Sequence, residues 1–424
     1  MTRVPRREAR HAGGTFIAAL LVCAALSPTR APAQQPSPES LVYDVTFEAR
    51  IVPTERQARV RWTLGAGSNW VYGISFPIDP KRHYRFRAPG ELTVGKERVD
   101  WKPPARGGTL EYVVRIDSTR DEGGYDGRCA QDWALFRGSD LFPRSRVRTE
   151  KGARSRSELR LVLPEGWTSV TRYAPAVGGS IDVSEPTRRF DRPTGWMLVG
   201  KLGVLRERIA GSRIAIAGPI GDDVHRQDLL ALLRWTLPEL REIAGALPER
   251  LAIVSAGDPM WRGGLSGIGS VFVHADRPLI ANDGTSPLLH EIFHAATRAN
   301  SGPDGDWIVE GLAEYYSLEL LVRSRTMSRA RYERTLKRVE QRGRGATLRA
   351  TDSHGAHTAR AVSVLRRVDR QIRERTEDRR SLDDVVARLA QARAPITLAR
   401  FREACEAVVG ADLADFFSSL PRAR

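Results

Sequence analysis

The stretch from Ser286 to Tyr316 constrains the fold more than any other part of this 424-residue sequence. It contains an H-E-x-x-H pattern at residues 290–294, in which His290 and His294 lie four positions apart. On a helix these positions share one face, so the two imidazoles can bind one zinc ion. Glu291 can then reach a water on that metal. A third ligand must come from elsewhere in the chain.

The residues around this pattern predict two helices joined by a tight loop. Ser286 supplies a capping hydroxyl, and Pro287 suits the first position of a helix. Residues 300–305 (NSGPDG) form a dense turn signal, after which Asp306 can cap a second helix. The turn brings Glu310 back toward the two histidines. We therefore predict a site for one zinc ion, Zn²⁺, with both histidines and Glu310 as ligands.

Spacing also suggests a supporting carboxylate on the second helix. Glu314 lies four residues after Glu310 and so on the same helical face. From there it could accept the distal N–H of a zinc-bound histidine. A plain surface position for Glu314 fits the spacing equally well. We predict that Tyr315 and Tyr316 are core residues of this helix.

The composition argues against a nucleic-acid partner. The residues are 41% hydrophobic and 28% charged, which is ordinary for a globular protein, but the net charge is +16. Much of the excess is arginine, scattered along the chain. A nucleic-acid-binding surface would need basic residues clustered with aromatic ones, and the sequence has no such stretch.

The first 33 residues have the pattern of a secretory signal peptide. Basic residues precede an apolar run from Thr15 to Leu26, and an A-x-A cleavage site follows at residues 31–33. The apolar run is too short to span a bilayer stably. An uncleaved anchor is the alternative. We expect an exported protein, periplasmic or extracellular, without a stable membrane anchor after cleavage.

Cleavage would leave 62 basic and 50 acidic side chains, a formal charge of about +12. Residues 34–40 are polar and contain proline, which predicts a disordered leader. Cys129 and Cys405 would be the cysteines that remain. They lie far apart in sequence, so we predict two unpaired thiols rather than a disulfide.

Two domains are predicted after the leader. Residues 41–204 carry short strand-like runs separated by turn signals, which indicates an antiparallel β domain. Within it, residues 124–143 are less regular, and we expect a structural connection there.

Residues 205–424 contain a few strands and then helices. The glycine-rich segment 261–270 lacks the features of a phosphate loop, so it predicts either a plain turn or an edge strand that accepts a peptide. Residues 328–342 predict a strongly basic helix, whose charge is most simply that of a solvated face.

These residues together resemble the gluzincin metallopeptidases. The closest likeness is to the glycyl aminopeptidase family that usually carries a PDZ domain. It rests on the H-E-x-x-H pattern and on segments that lie before and after it. Those segments are residues 132–143 (DWALFRGSDLFP), Gly263-Gly264-Leu265, Trp307-Ile308-Val309-Glu310-Gly311 with Tyr315-Tyr316, residues 381–384 (SLDD), and Ala411-Asp412-Leu413 with Phe416-Phe417.

The resemblance implies an α+β multidomain fold. An N-terminal antiparallel β domain would precede a gluzincin-type catalytic domain, which has a small sheet and a mainly α-helical C-terminal half. It also implies a zinc metallopeptidase that acts on peptides or proteins, with Glu291 as general base. No PDZ domain is expected within the 424 residues.

Two departures from the family leave parts of the chemistry open. In related aminopeptidases an acidic residue after the Gly-Gly-Leu turn holds the substrate amine, but here Ser266 and Gly267 follow. Aminopeptidase and endopeptidase activity therefore both remain possible. The family's oxyanion-stabilising tyrosine has no match either. His354 and His357 lie in the corresponding segment, and we consider His357 first and His354 second as donor to the oxyanion. Two solvated loop histidines are the alternative.

We expect an exported zinc metallopeptidase. The alternative is a catalytically weak or silent peptide-binding protein of the cell envelope on the same scaffold. The altered substrate-gripping groups favour that alternative, whereas the intact Glu291 argues against it. The sequence specifies neither the substrate nor the oligomeric state.

Overall fold

The computed structural model describes residues 41–421, apart from residues 122, 176, 186 and 187. The predicted signal peptide and leader, residues 1–33 and 34–40, lie outside the described residues. The described residues belong to one compact unit. None of their helices combines the length and apolar character needed to cross a membrane.

A six-stranded sheet dominates the N-terminal half. Along its first strand every second side chain is buried, as expected for a sheet with one covered face. Most neighbours are antiparallel, but β1 and β12 pair in parallel. In spatial order the strands are β14 (Ile181–Asp182), β12 (Arg154–Val162), β1 (Val42–Val52), β2 (Gln57–Leu64), β7 (Gly108–Arg115) and β4 (His83–Arg87).

Two smaller antiparallel sheets complete this half. One has the order β11 (Arg146–Thr149), β3 (Val71–Pro77), β6 (Arg98–Lys102) and β5 (Glu91–Val94). The other has the order β13 (Thr168–Val170), β15 (Trp196–Gly200), β10 (Trp133–Arg137), β9 (Tyr125–Cys129) and β8 (Ser118–Thr119). A single helical turn, α1 (Gly138–Leu141), follows β10.

A mixed five-stranded sheet begins the C-terminal half. Its two central pairs are parallel and its outer pairs are antiparallel. The strand order is β16 (Leu202–Ile209), β17 (Ser212–Pro219), β18 (Arg250–Ala256), β20 (Ser270–His274) and β19 (Gly264–Gly267). Helix α2 (Arg226–Ala244), with Pro238 inside it, connects the parallel strands β17 and β18. The short strand β19 therefore forms an edge.

The remaining chain is helical. These helices are α3 (Pro287–Thr297), α4 (Asp306–Arg323), α5 (Arg329–Arg342), α6 (Ala356–Thr376), α7 (Leu382–Ala392), α8 (Leu398–Val409) and α9 (Ala414–Ser418). One side of α3 packs on strands β19 and β20, and another side packs on α4. The protein thus has a mixed α+β fold with antiparallel sheets in its N-terminal part and a helical C-terminal half, as the sequence predicted.

Three buried apolar clusters hold these layers together. One fills the N-terminal sheets and is rich in aromatic rings, with Trp62 stacked on Phe76 at 4.9 Å. The largest lies among the C-terminal helices and sheet. The third joins residues of both halves, including Trp196 and Phe272, whose rings are 5.2 Å apart.

The predicted domain division at 204/205 remains a prediction, and β16 runs across it.

Cys129 and Cys405 are both buried and unpaired, in agreement with the sequence prediction. They lie in different clusters, Cys129 in the N-terminal one and Cys405 in the C-terminal one. Burial, helped by the nearby carboxylate of Asp117, raises the pKa of the Cys129 thiol to about 12. Neither thiol has the lowered pKa of a reactive cysteine.

Candidate metal centre

Helix α3 carries both histidines, and its local sequence explains its start and its orientation. The Ser286 hydroxyl accepts the N–H of Leu289 at 3.3 Å and donates to the Leu279 carbonyl at 2.6 Å. Pro287 occupies the first turn. One side of the helix is buried, including Leu288, Leu289, Ile292 and Phe293. The side chains of His290, Glu291 and His294 instead line a cavity.

The turn before α4 depends on a close backbone approach. A Cβ added to Gly305 would lie 1.8 Å from the Ile396 carbonyl oxygen, so only glycine fits there. Helix α4 then packs on α3, with the rings of Phe293 and Tyr316 stacked at 5.2 Å. Tyr315 is buried as well as Tyr316, as predicted. These contacts fix where Glu310 lies relative to the histidines.

The predicted cap of α4 is wrong in one respect. The capping residue is Gly305, and Asp306 is the first residue of the helix. The Asp306 carboxylate instead accepts the N–H of Ser353 at 2.7 Å. This bond holds the segment that contains His354 close to the start of α4.

His290, His294 and Glu310 converge as the sequence predicted, and among the described residues they are the group arranged to hold a metal ion. The two histidine Nε2 atoms are 3.2 Å apart. Glu310 Oε2 is 3.2 Å from His290 Nε2, and Glu310 Oε1 is 3.4 Å from His294 Nε2. Each ligand atom therefore faces the other two.

These distances fit zinc. With bonds of about 2.0–2.1 Å, a tetrahedral zinc ion separates neighbouring ligand atoms by roughly 3.3–3.4 Å. The three observed separations lie within about 0.2 Å of that value. Two imidazoles and one carboxylate also form the donor set of open catalytic zinc sites, which leave one position for water.

The close packing of histidines and carboxylates at this site shifts the pKa values of His290 and Glu310. Burial lowers the pKa of His290, but hydrogen bonds to Glu310 and Glu314 and the charge of Glu291 raise it to about 10. Burial raises the pKa of Glu310, whereas its contacts with both histidines bring that pKa well below the usual range. Carboxylates thus surround the histidines, an environment that favours a bound cation.

Glu314 lies where a supporting carboxylate is needed. Its Oε2 atom is 3.3 Å from His290 Nδ1, so the ring can donate there while its Nε2 faces the ligand group. Its Oε1 atom is 3.6 Å from a guanidinium nitrogen of Arg342 on α5. The sequence pattern predicted only a solvated face for α5, because nothing in the residue spacing connects α5 to the site.

Glu291 is held against the edge strand. Its Oε2 atom accepts the backbone N–H of Ser266 at 2.6 Å. A Cβ on Gly264 would lie 3.2 Å from Glu291 Cγ, so the glycine allows β19 to approach closely. The plain turn considered for residues 261–270 is therefore wrong, because these residues include a strand.

A cavity of about 880 Å³ opens over the three ligand residues. Glu291 and residues 264–268 also line it. His354 lies at its wall and is exposed, with its Nδ1 atom 3.1 Å from the Asp352 carbonyl. His357 is not among the lining residues, and its Nδ1 donates to the Thr347 carbonyl at 2.8 Å. The structure thus brings His354, but not His357, to the cavity.

Three arginines at the cavity wall were not expected from the sequence: Arg188, Arg298 and Arg393. They come from three separate segments. The scatter of arginine along the chain concealed their proximity, and no sequence signal would have revealed it.

No protein-family model and no curated protein sequence matches the chain. Solved structures do match it. An aminopeptidase N family protein from Idiomarina loihiensis aligns with a TM-score of 0.69 and 15% identity, over 89% of this chain and 76% of that one. An M1 zinc metallopeptidase from Deinococcus radiodurans aligns with a TM-score of 0.57 and 14% identity, over 89% and 92%.

Aminopeptidase A of Legionella pneumophila, solved with aspartic acid, gives a TM-score of 0.56 at 13% identity. That alignment covers 90% of this chain and 49% of the Legionella chain. At these identities the likeness concerns the fold. The chain shares the multidomain α+β fold of these solved M1 aminopeptidases. The narrower resemblance to the PDZ-associated family remains a prediction.

Proposed function

We propose that this protein is an exported zinc-dependent peptidase that hydrolyses peptide bonds in the cavity above α3. The observation that carries the proposal is the convergence of His290 Nε2, His294 Nε2 and the Glu310 carboxylate, at separations of 3.2–3.4 Å. The shared fold of zinc metallopeptidases supports the same activity class.

A zinc ion held by these residues would supply Lewis acidity, which activates water and polarises a scissile carbonyl. Glu291 lines the same cavity, and its carboxylate would take a proton from the attacking water. It would then deliver that proton to the nitrogen of the leaving amine. Glu314 keeps the Nδ1 proton of His290 in place, which orients the imidazole toward its ligand position.

The edge strand offers a place for the substrate backbone. Strand β19 pairs with β20 on one side, and no further strand among the described residues covers its other side. Its residues line the cavity next to Glu291. An extended peptide can add to such an edge through main-chain hydrogen bonds. His354 is the candidate donor to the developing oxyanion, because it shares this cavity.

The test compares wild-type protein with Glu291→Gln and, as a matched control, Glu333→Gln on the exposed side of α5. We expect about one zinc per chain in all three proteins. Wild type and the control should cleave members of a diverse peptide library, and Glu291→Gln should lose at least about 100-fold in kcat/KM.

Two results would count against the proposal. Stoichiometric zinc without wild-type hydrolysis of any library peptide would leave a peptide-binding protein on a peptidase scaffold. Absence of bound zinc would refute the metal site itself.

Export rests on the signal-peptide pattern of residues 1–33. Expression with and without this segment in a Gram-negative host tests it. The full chain should reach the periplasm or medium with its N-terminus shortened, whereas the truncated chain should stay in the cytoplasm. An unprocessed full chain in the cytoplasm would refute export.

A further inference from the structure

Three arginines form a cluster at one end of the cavity that also holds the metal-ligand residues. This arginine cluster consists of Arg188, Arg298 and Arg393. Arg298 directly follows α3, and its N–H donates to the His294 carbonyl at 2.9 Å. Arg393 directly follows α7. Two of the three arginines thus sit at the ends of helices, and one of those helices carries both histidines.

Backbone hydrogen bonds join the two loops that begin with these arginines. The Ile396 N–H donates to the Asn300 carbonyl, and the Gly302 N–H donates to the Ile396 carbonyl, both at 2.7 Å. The Asp304 carboxylate also accepts the Leu398 N–H at 3.0 Å. The end of the cavity is therefore a built surface, held in a fixed position relative to the metal ligands.

The guanidinium groups of the cluster have no partners among the residues that the structure describes. Within the described part of the chain, none of the three guanidinium groups makes a hydrogen bond or lies within 4 Å of a carboxylate. Arginines elsewhere on the neighbouring helices are paired, as Arg323 is with Glu319 and Asp383. Arg298 is half-buried. A partly desolvated cation without a partner costs free energy, which a ligand carboxylate would recover.

The charges around Arg298 are mostly positive. Those that act most strongly on it are one carboxylate, Glu185, and three guanidinium groups, those of Arg172, Arg393 and Arg188. Glu185 already lies 3.9 Å from Arg172. Moreover, the Arg172 Nε atom is buried and has no hydrogen-bond partner. Around Arg298 the positive charges thus outnumber the negative ones, and this end of the cavity has room for further negative charge.

We propose that the arginine cluster is a carboxylate-binding subsite that directs the protein toward acidic peptides. The proposal rests on the peptidase function proposed above and specifies its substrate class. The planar guanidinium fork binds carboxylates in a bidentate manner, which provides both affinity and orientation. The carboxylate belongs to an aspartate or glutamate side chain or to the C-terminus of the peptide.

Binding is tested on the zinc-loaded Glu291→Gln protein, so that hydrolysis does not interfere. The probes are fluorescent alanine pentapeptides, blocked at both ends, in which one glutamate moves through the sequence. Each is compared with its glutamine counterpart, and a further set of glutamine peptides has a free C-terminus. We expect the glutamate probe to bind about tenfold more tightly at one or more positions, as measured by fluorescence anisotropy. Tighter binding of the free C-terminus would assign the subsite to the α-carboxylate.

The variants connect this preference to the cluster. In a protein that also carries Arg298→Gln and Arg393→Gln, the preference should shrink to below about twofold, while glutamine probes bind as before. Arg388→Gln on the exposed surface of α7 is the matched control and should keep the full preference. Circular dichroism checks that each variant is folded. Should the double variant not fold, Arg298→Gln and Arg393→Gln are measured singly, and each should lose part of the preference.

Equal binding of all probe sets, or a preference that persists without the arginines, overturns the subsite. The peptidase proposal is judged separately, by wild-type hydrolysis of neutral peptides. Hydrolysis without any acidic preference would refute the subsite alone. Conversely, arginine-dependent binding of acidic probes without hydrolysis of any peptide would refute the peptidase and leave the subsite in place.

Discussion

Replacing Glu314 tests whether the second carboxylate on α4 supports the metal site. Glu314 Oε2 is 3.3 Å from His290 Nδ1, and its side chain is only 14% exposed. Loss of such a partner to a metal-binding histidine typically weakens metal affinity about 10–100-fold. The contact is longer than the roughly 2.9–3.0 Å of a typical N–H···O bond, which favours the lower end of that range. For Glu314→Ala we expect about a tenfold loss, or ~1.4 kcal/mol.

The assay is a competition titration of zinc against a chromophoric chelator. Glu314→Gln keeps an acceptor oxygen but loses the charge, so its affinity should fall between those of wild type and Glu314→Ala. Glu333→Ala removes a carboxylate from the exposed surface of α5 and should bind zinc like wild type. Circular dichroism and thermal unfolding of the metal-free proteins show whether the fold is intact.

One result would refute the reasoning. A folded Glu314→Ala protein that binds zinc within about twofold of wild type would mean that packing alone orients His290. An equal loss in Glu333→Ala would point to a general effect of net charge instead of a specific contact.

Four further predictions follow from the structure. His354→Gln should lower kcat at least about tenfold with little change in KM, whereas His357→Gln should stay within about twofold, because only His354 lines the cavity. Gly305→Ala should lower the free energy of unfolding by ~1–3 kcal/mol or more in thermal unfolding, because the added Cβ would clash with the Ile396 carbonyl. Gly257→Ala is the control and should leave stability nearly unchanged, because its Cβ would make only ordinary contacts. Burial lowers the pKa of His83 in the folded protein. As the pH falls through about 6.5, His83 is therefore protonated in the unfolded chain before it is protonated in the folded one. The stability that His83 contributes should therefore decline from pH 7 to pH 5, so in denaturant titrations the unfolding free energy of wild type should fall relative to that of His83→Gln over this range. Finally, peptides with an acetylated N-terminus should be cleaved at least as fast as the same peptides with a free N-terminal amine. Cleavage of only the free-amine peptides in a kinetic comparison would contradict this.

The convergence of the candidate metal ligands could be predicted because most of them are local in sequence. Ser286 and Pro287 specify the start of α3, and the i, i+4 spacing places both histidines on one face. Only the return of Glu310 toward the histidines depended on a contact between two helices. The turn signal at residues 300–305 indicated that return. The prediction for Asp306 failed because a capping side chain can be taken by a more distant partner, in this case the Ser353 N–H.

Elements defined by pairing were harder to predict. Strand β19 contains two glycines and gains its identity from β20, to which all four of its residues pair. Strands β9 and β10 lie in the segment expected to be a connection, and they are stabilised by neighbours such as β15, far away in sequence. Periodicity describes one segment at a time, so contacts between distant segments do not enter it.

The residues expected to bind the substrate also depend on contacts between distant segments, which the sequence pattern does not show. The family resemblance predicts only that Ser266 stands where related aminopeptidases have an acidic residue for the substrate amine. The structure adds that arginines from three separate segments meet in the same cavity. A protonated α-amine is disfavoured next to such a cluster, whereas a carboxylate is favoured. The missing acidic residue and the arginine cluster would therefore both favour an acidic group over a free N-terminus.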